Sequence, residues 1–238
     1  MKIALIGYGK MGKTIEAIAL ERGHEIVLTI DLHNQQDLNK ENLSKVDAAI
    51  EFTGPDSAFG NVMTCMASGV PLVVGSTGWL EHLPEAEAAC KAHHAALLVA
   101  SNFSIGVNIF FEINKKLAAL MAPHSAYKVE LEEIHHTQKK DAPSGTAITL
   151  AEQILQAYPQ KTGWVNHATD EAQELAIISK RIDPAPGTHT IVYTSEIDDI
   201  EIRHTAHNRN GFALGAVLAA EYLAGKQGIF TMSDVLGF

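Results

Sequence analysis

Cysteine is nearly absent from this 238-residue chain. Cys65 and Cys90 stand alone, with neither a CxxC pair nor metal-ligand spacing. This argues against a disulfide framework or a cysteine-held metal, and two buried reduced thiols fit a cytoplasmic protein. No apolar run is long enough to span a bilayer. The first residues, MKIALIGYGKMG, reach glycines after a short apolar run and read as a strand, not a signal peptide. Low-complexity tracts, internal repeats and an HExxH motif are also missing. His204 and His207, three apart on an expected strand, would point to opposite faces, so no metal is expected. Charged residues make up only 19%, with a formal net charge of −10, which argues against nucleic acid as the main partner. A local cluster of Lys, Arg and His can still hold an anion inside an acidic protein. A 46% hydrophobic composition over this length supports one large or two small globular domains.

The N-terminal third carries a recognisable constellation. Lys2 to Ile6 reads as a buried strand, followed at once by Gly7-Tyr8-Gly9-Lys10-Met11-Gly12. Met11, Ile15, Ile18 and Ala19 then recur at helical spacing, and Ile26 to Ile30 forms a second strand ending at Asp31. Strand, GxGxxG, helix, strand and terminal acid in that order are the dinucleotide-binding fingerprint. Gly7 permits the tight turn, Gly9 lets the backbone approach a pyrophosphate, and Gly12 lets the helix pack closely. Asp31 is placed to accept hydrogen bonds from the adenosine ribose. Strands and helices go on alternating: strand 47–52, helix 57–68, strand 70–74, helix 81–93 and strand 95–100. The expected fold class is therefore α/β, with an N-terminal doubly wound parallel (Rossmann) sheet. Gly75, Ser76 and Thr77 after the fourth strand, and Ala100, Ser101, Asn102 and Phe103 after the fifth, would line the nicotinamide side of the cleft.

The pattern then changes. A helix at 107–121 precedes expected strands at 126–135, 174–182, 188–197 and 200–205, which predict a second, α+β domain with a mostly antiparallel or mixed sheet. A helix at 212–223 should return to the first domain. Linkers are expected at 102–105 and 207–211, giving a dinucleotide-binding domain of 1–103 with 209–238 and a substrate-binding and oligomerisation domain of 104–208.

The segment EEIHHTQKKDAPSGTA, Glu132 to Ala147, gathers chemistry into sixteen residues. It reads as strand, loop and helix start: Pro143 stops any earlier helix and Ser144 is a good N-cap. His135 and His136 can donate protons. Lys139, Lys140 and the backbone N–H groups of Ser144, Gly145 and Thr146 can hold a carboxylate or phosphate. Taken singly, the histidines could be a surface pair, Ser-Gly-Thr a plain cap, and Arg209 a linker charge.

This string resembles the signature of the bacterial dihydrodipicolinate reductase family, and GYGKMG, GSTG, SNFSIGVN at 101–108 and the closing MSDVLGF are similar to the family as well. The resemblance implies reduction of 4-hydroxy-tetrahydrodipicolinate by a nicotinamide cofactor in the diaminopimelate route to lysine. It implies His135 as proton donor, Lys139 as the essential lysine, and His136, Ser144, Gly145, Thr146 and Arg209 at the substrate carboxylates. It further implies a homotetramer built through residues 104–208. No Arg or Lys follows Asp31 closely enough to take a 2′-phosphate, so NADH is expected over NADPH. Another two-domain nicotinamide dehydrogenase would explain residues 1–103 but not the 132–147 string, and a non-catalytic NADH sensor would explain neither the histidines nor the lysines. One tension is geometric. Adjacent residues of a regular strand face opposite ways, so the strand must end or twist at His135 if both histidines touch one ligand.

Overall fold

The computed structural model describes residues 1–238. The strands are β1 Lys2–Ile6, β2 Glu25–Ile30, β3 Ala48–Glu51, β4 Leu72–Val74, β5 Ala96–Val99, β6 Lys128–His135, β7 Gly163–Val165, β8 Glu174–Arg181, β9 Gly187–Thr194, β10 Asp199–Ala206 and β11 Gly228–Phe230. The helices are α1 Lys10–Glu21, α2 Lys40–Leu43, α3 Pro55–Ala67, α4 Leu83–Ala92, α5 Ile105–Met121, α6 Gly145–Ala157, α7 Asn210–Leu223 and α8 Met232–Leu236. None of them is long and apolar enough to cross a membrane.

The chain divides into two compact units: Met1–Ile105 with Asn210–Phe238, and Gly106–Arg209. The first unit holds a six-stranded parallel sheet in the order β11-β5-β4-β3-β1-β2. Alternate side chains of its strands feed separate cores. Ile3, Leu5, Ile50 and Leu98 pack with Ile15 of α1 and Ala216 and Val217 of α7. Ala4, Ile6, Ala49 and Leu97 pack with Val62 and Met66 of α3 and Ala86 and Cys90 of α4. Burial on both faces makes these strands nearly continuous apolar runs, as helix-covered parallel sheets require. Helix α3 starts at Pro55, two residues before the expected start, because proline is already preset for the first helical position.

The second unit holds a mixed sheet in the order β10-β9-β6-β8-β7. Strand β9 runs antiparallel to both β6 and β10, whereas β8 runs parallel to β6 and β7. The long connection from β6 through α6 and β7 to β8 is what permits the parallel pairing. One sheet face, with Leu131, Ile177, Ile191 and Tyr193, packs on Val107 and Phe110 of α5 and Leu150 and Ile154 of α6. Asn114, fully buried on α5, donates to Leu150 O at 3.0 Å and Gln153 Oε1 at 2.9 Å, tying α5 to α6.

Candidate active site

Strand β6 aims Glu133 and His135, two residues apart, into the same side of its sheet, and both are buried. Strand register then sets their neighbours. Glu133 pairs with His189 of β9 and Ser179 of β8, and His135 pairs with Arg181 of β8. Gly187, at the start of β9, lies under the His135 ring: a Cβ there would stand 3.1 Å from Nε2.

Glu133 is the hub of this cluster and is fully buried. Its Oε1 accepts from Ser179 Oγ at 2.8 Å and lies 3.3 Å from Arg181 Nη2, and the Ser144 amide donates to both oxygens, at 3.2 and 3.1 Å. Oε2 lies 3.3 Å from His135 Nδ1 and 3.7 Å from His189 Nε2. The His135 contact has ion-pair distance but an off-axis approach, short of a directed hydrogen bond. Burial works to raise the Glu133 pKa, but the contacts from His135, Ser144 and Ser179 outweigh it and hold the carboxyl well below its usual range. His189 moves down to about 3, chiefly through burial and then through the neighbouring His135 charge. Its Nε2 lies 3.1 Å from Ser144 Oγ.

Glu133, His135 and His189 place ligand atoms within 4.8 Å of one another, a donor set that sequence spacing does not reveal. The Arg181 guanidinium already supplies the cation beside that carboxylate. His204 of β10 pairs with His189 of β9 and packs obliquely on Phe110, the ring centroids 6.1 Å apart.

Strand β6 ends at His135, and the two adjacent histidines diverge. His135 enters the buried cluster. His136 lines a cavity of about 330 Å³ together with Gln138, Asp183, Pro184, Pro186, Asn208 and Arg209. The loop between is held by Thr137, whose amide and hydroxyl donate to Asp183 at 3.0 and 2.6 Å, and by Arg181, which donates to Asp141 O at 2.6 Å. Lys139 Nζ contacts both oxygens of Asp141 at 2.7 Å, and this contact lowers the Asp141 pKa. Ser144 joins the buried cluster instead of an open anion pocket, because its hydroxyl caps α6 through the Ala147 amide and its own amide is spent on Glu133. Gly145 and Thr146 open the helix, and a Cβ on Gly145 would meet nothing within 4 Å.

In the first unit, a cavity of about 610 Å³ opens at the carboxyl ends of the strands. Gly7, Tyr8, Gly9, Asp31, Gln35, Thr53, Asp56 and Asn61 help to line it. Gly7 has φ +97°, and a Cβ on it would strike Phe52 O at 2.2 Å. A Cβ on Gly12 would strike Gly7 O at 2.3 Å, whereas one on Gly9 would meet nothing within 4 Å. Gly9 is also the N-cap of α1 and uses no side-chain cap, so the helix start faces open space. That is the cradle a pyrophosphate needs, and these residues fit a dinucleotide. Asp31 Oδ1 accepts from the His33 amide at 2.7 Å, which fixes the carboxylate at the end of β2. Glu51, fully buried and not picked out from the sequence, accepts from the Thr53 amide at 3.0 Å and from its hydroxyl, shaping the cavity wall.

The remaining fingerprint residues are dispersed around this frame. Lys10 is exposed, and Met11 packs on the core. A Cβ on Gly75 would stand 2.2 Å from the Phe52 ring. Ser76 is buried, its carbonyl accepting from Trp79 Nε1 at 2.9 Å, and Thr77 is exposed. The Ala100 amide continues the pairing to Val74 O, Ser101 is exposed, and Asn102 accepts from the Ser104 amide at 2.9 Å. Phe103 is buried, its ring 5.7 Å from that of Phe52.

Residues 1–103 match the family model described as dihydrodipicolinate reductase, N-terminus, and residues 106–236 match that described as its C-terminus. A 4-hydroxy-tetrahydrodipicolinate reductase from Christiangramia forsetii is 52% identical over 238 residues, covering 99% of this chain and 98% of the relative. One from Methanosarcina mazei is 34% identical over 240 residues, covering 99% and 89%. Among solved structures, a dipicolinate-bound dihydrodipicolinate reductase from Paenisporosarcina sp. TG-14 superposes with a TM-score of 0.77 at 26% identity, covering 97% of each chain. With both halves matched and relatives aligned end to end, the chain belongs to the dihydrodipicolinate reductase family.

Proposed function

We propose that this chain reduces 4-hydroxy-tetrahydrodipicolinate to tetrahydrodipicolinate, with His135 as the proton donor. The observation that carries this is the end of β6, where a histidine 3.3 Å from a buried carboxylate precedes a lysine-bearing loop and a helix start. Loss of the substrate's hydroxyl as water leaves a conjugated C=C–C=N system, and a nicotinamide cofactor held by Gly7, Gly9 and Asp31 would supply hydride to it. Negative charge builds at the far end of that system, and an imidazolium suits the proton delivery required there. Lys139 adds positive charge beside the reacting centre. His136 and Arg209, which share a cavity, together with Gly145 and Thr146 at the start of α6, grip the substrate carboxylates. The assay is NADH oxidation on adding the condensation product of pyruvate and aspartate semialdehyde; no turnover by folded protein overturns the reading. Replacing His135 should lower kcat mainly, and replacing Lys139 should damage both kcat and KM.

The reading includes a preference for NADH over NADPH. The nucleotide cavity is lined by Asp31 and Asp56 and by no Lys or Arg, so a 2′-phosphate meets carboxylates. A higher kcat/KM with NADPH refutes that preference. It also includes a cytoplasmic homotetramer associating through residues 104–208, supported by the sheet face that α5 and α6 leave uncovered, where Glu130 is exposed. Light scattering that returns a monomer or dimer mass rules out the tetramer.

A further inference from the structure

We propose that Glu133 is a positioning residue for the reduction: its buried carboxylate holds the Nδ1 edge of His135, leaves Nε2 to deliver the proton, and ties the ring to the start of α6. The inference rests on His135 being the proton donor.

Three observations converge on it. The Glu133 carboxylate sits 3.3 Å from His135 Nδ1, while the opposite nitrogen, Nε2, lies over Gly187, where the missing Cβ leaves room. The two ends of the ring therefore have different surroundings, and a carboxylate beside Nδ1 favours the tautomer with the proton there. The same carboxylate accepts the Ser144 amide, so the proton donor and the helix that begins the carboxylate grip share one anchor. A buried carboxylate is costly unless it is paired, and here Arg181 and Ser179 complete its partners without occupying His135. Arg181 from β8, His189 from β9 and Lys139 from the loop are the other titratable or charged groups around the cluster, with His204 beyond His189 on β10. All of them remain when Glu133 alone is neutralised.

A general acid loses activity as pH rises through its titration, so the alkaline limb of the kcat profile reports the charge beside it. Glu133→Gln keeps the shape and an acceptor for Ser144 and Ser179 but removes the negative charge. The expected result is a fall in kcat of at least tenfold and an alkaline limb moved to lower pH, as expected for loss of an adjacent opposite charge. KM for NADH should not change, and Glu133→Asp, which keeps the charge, should restore the position of the limb. A merely structural role would lower the amount of active enzyme without moving the limb. If Glu133→Gln does not fold, long-range ¹H–¹⁵N spectra of the wild-type enzyme decide the matter: neutral His135 protonated on Nδ1 supports the proposal, and protonation on Nε2 overturns it. His135→Asn separates the two readings. If it retains wild-type kcat, the proton-donor assignment fails and this inference falls with it. If it loses kcat while Glu133→Gln keeps both rate and limb, only the role of Glu133 fails.

Discussion

Acidification should weaken this protein through His189 before its carboxylates begin to matter. The ring is buried on β9, with Ser144 Oγ 3.1 Å from Nε2, and burial has moved its pKa from 6.5 to about 3. At pH 7 the ring is neutral whether folded or unfolded, so the shift contributes almost nothing. Below 6.5 the unfolded chain takes up a proton that the folded chain refuses, and stability falls by about 1.4 kcal/mol per pH unit until the folded pKa is reached. Between pH 7 and pH 5 the loss integrates to about 2 kcal/mol. Glu133 also opposes acid, because a carboxyl held below its usual range stabilises the fold only while ionised. That contribution is lost below the unfolded carboxylate value of 4.5, outside the chosen window. The measurement is urea unfolding of wild type and His189→Gln at both pH values. The substitution has its own cost at pH 7, but only the difference in pH dependence matters, and there the variant should lose about 2 kcal/mol less than wild type. Equal losses in the two proteins would refute the reasoning, since every other histidine cancels in the comparison.

Other outcomes follow from close contacts. Gly187→Ala places a methyl 3.1 Å from His135 Nε2 without backbone strain, so kcat should fall by roughly 10- to 100-fold, as displaced catalytic groups do, while NADH affinity measured by fluorescence stays the same; an unchanged kcat counts against the assigned place of His135. Gly12→Ala drives a methyl to 2.3 Å from Gly7 O and should cost about 1–3 kcal/mol in denaturant midpoints along with cofactor binding. Gly9→Ala meets no protein atom within 4 Å, so its melting temperature should match wild type while NADH binding weakens at least tenfold; equal binding would place the pyrophosphate elsewhere. Arg209→Gln should raise KM for the dicarboxylate by about tenfold and leave NADH affinity unchanged in isothermal titration, as loss of one charged contact implies.

The parts that were legible in the sequence are those whose signal is local. The GYGKMG turn needs its glycines at fixed offsets, and the clashes at Gly7 and Gly12 show why no other residue serves there. The N-cap at Ser144 was likewise readable, because a serine following proline and preceding an apolar run has one good use. The three-residue strands β7 and β11 were not, since three residues carry no periodicity and only the neighbouring strand defines them.

The hub of the site was hidden for a different reason. In sequence, Glu133 is one acid in an EE pair, and His189 lies 56 residues further on in a strand of threonines. Nothing local distinguishes either residue. Register alone brings them opposite each other and sets Arg181 beside His135. The period of a strand could show that Glu133 and His135 share a face, but not which strands flank it, because the order β9-β6-β8 departs from the order along the chain. The same register resolves the paired-histidine tension. His135 is the last residue of β6 and follows the strand into the cluster, while His136 has left the strand and turns to the cavity with Arg209. Two residues adjacent in sequence thus enter separate surroundings, a buried cluster and a cavity that holds Arg209, and Glu133 contacts both the His135 ring and the Ser144 amide.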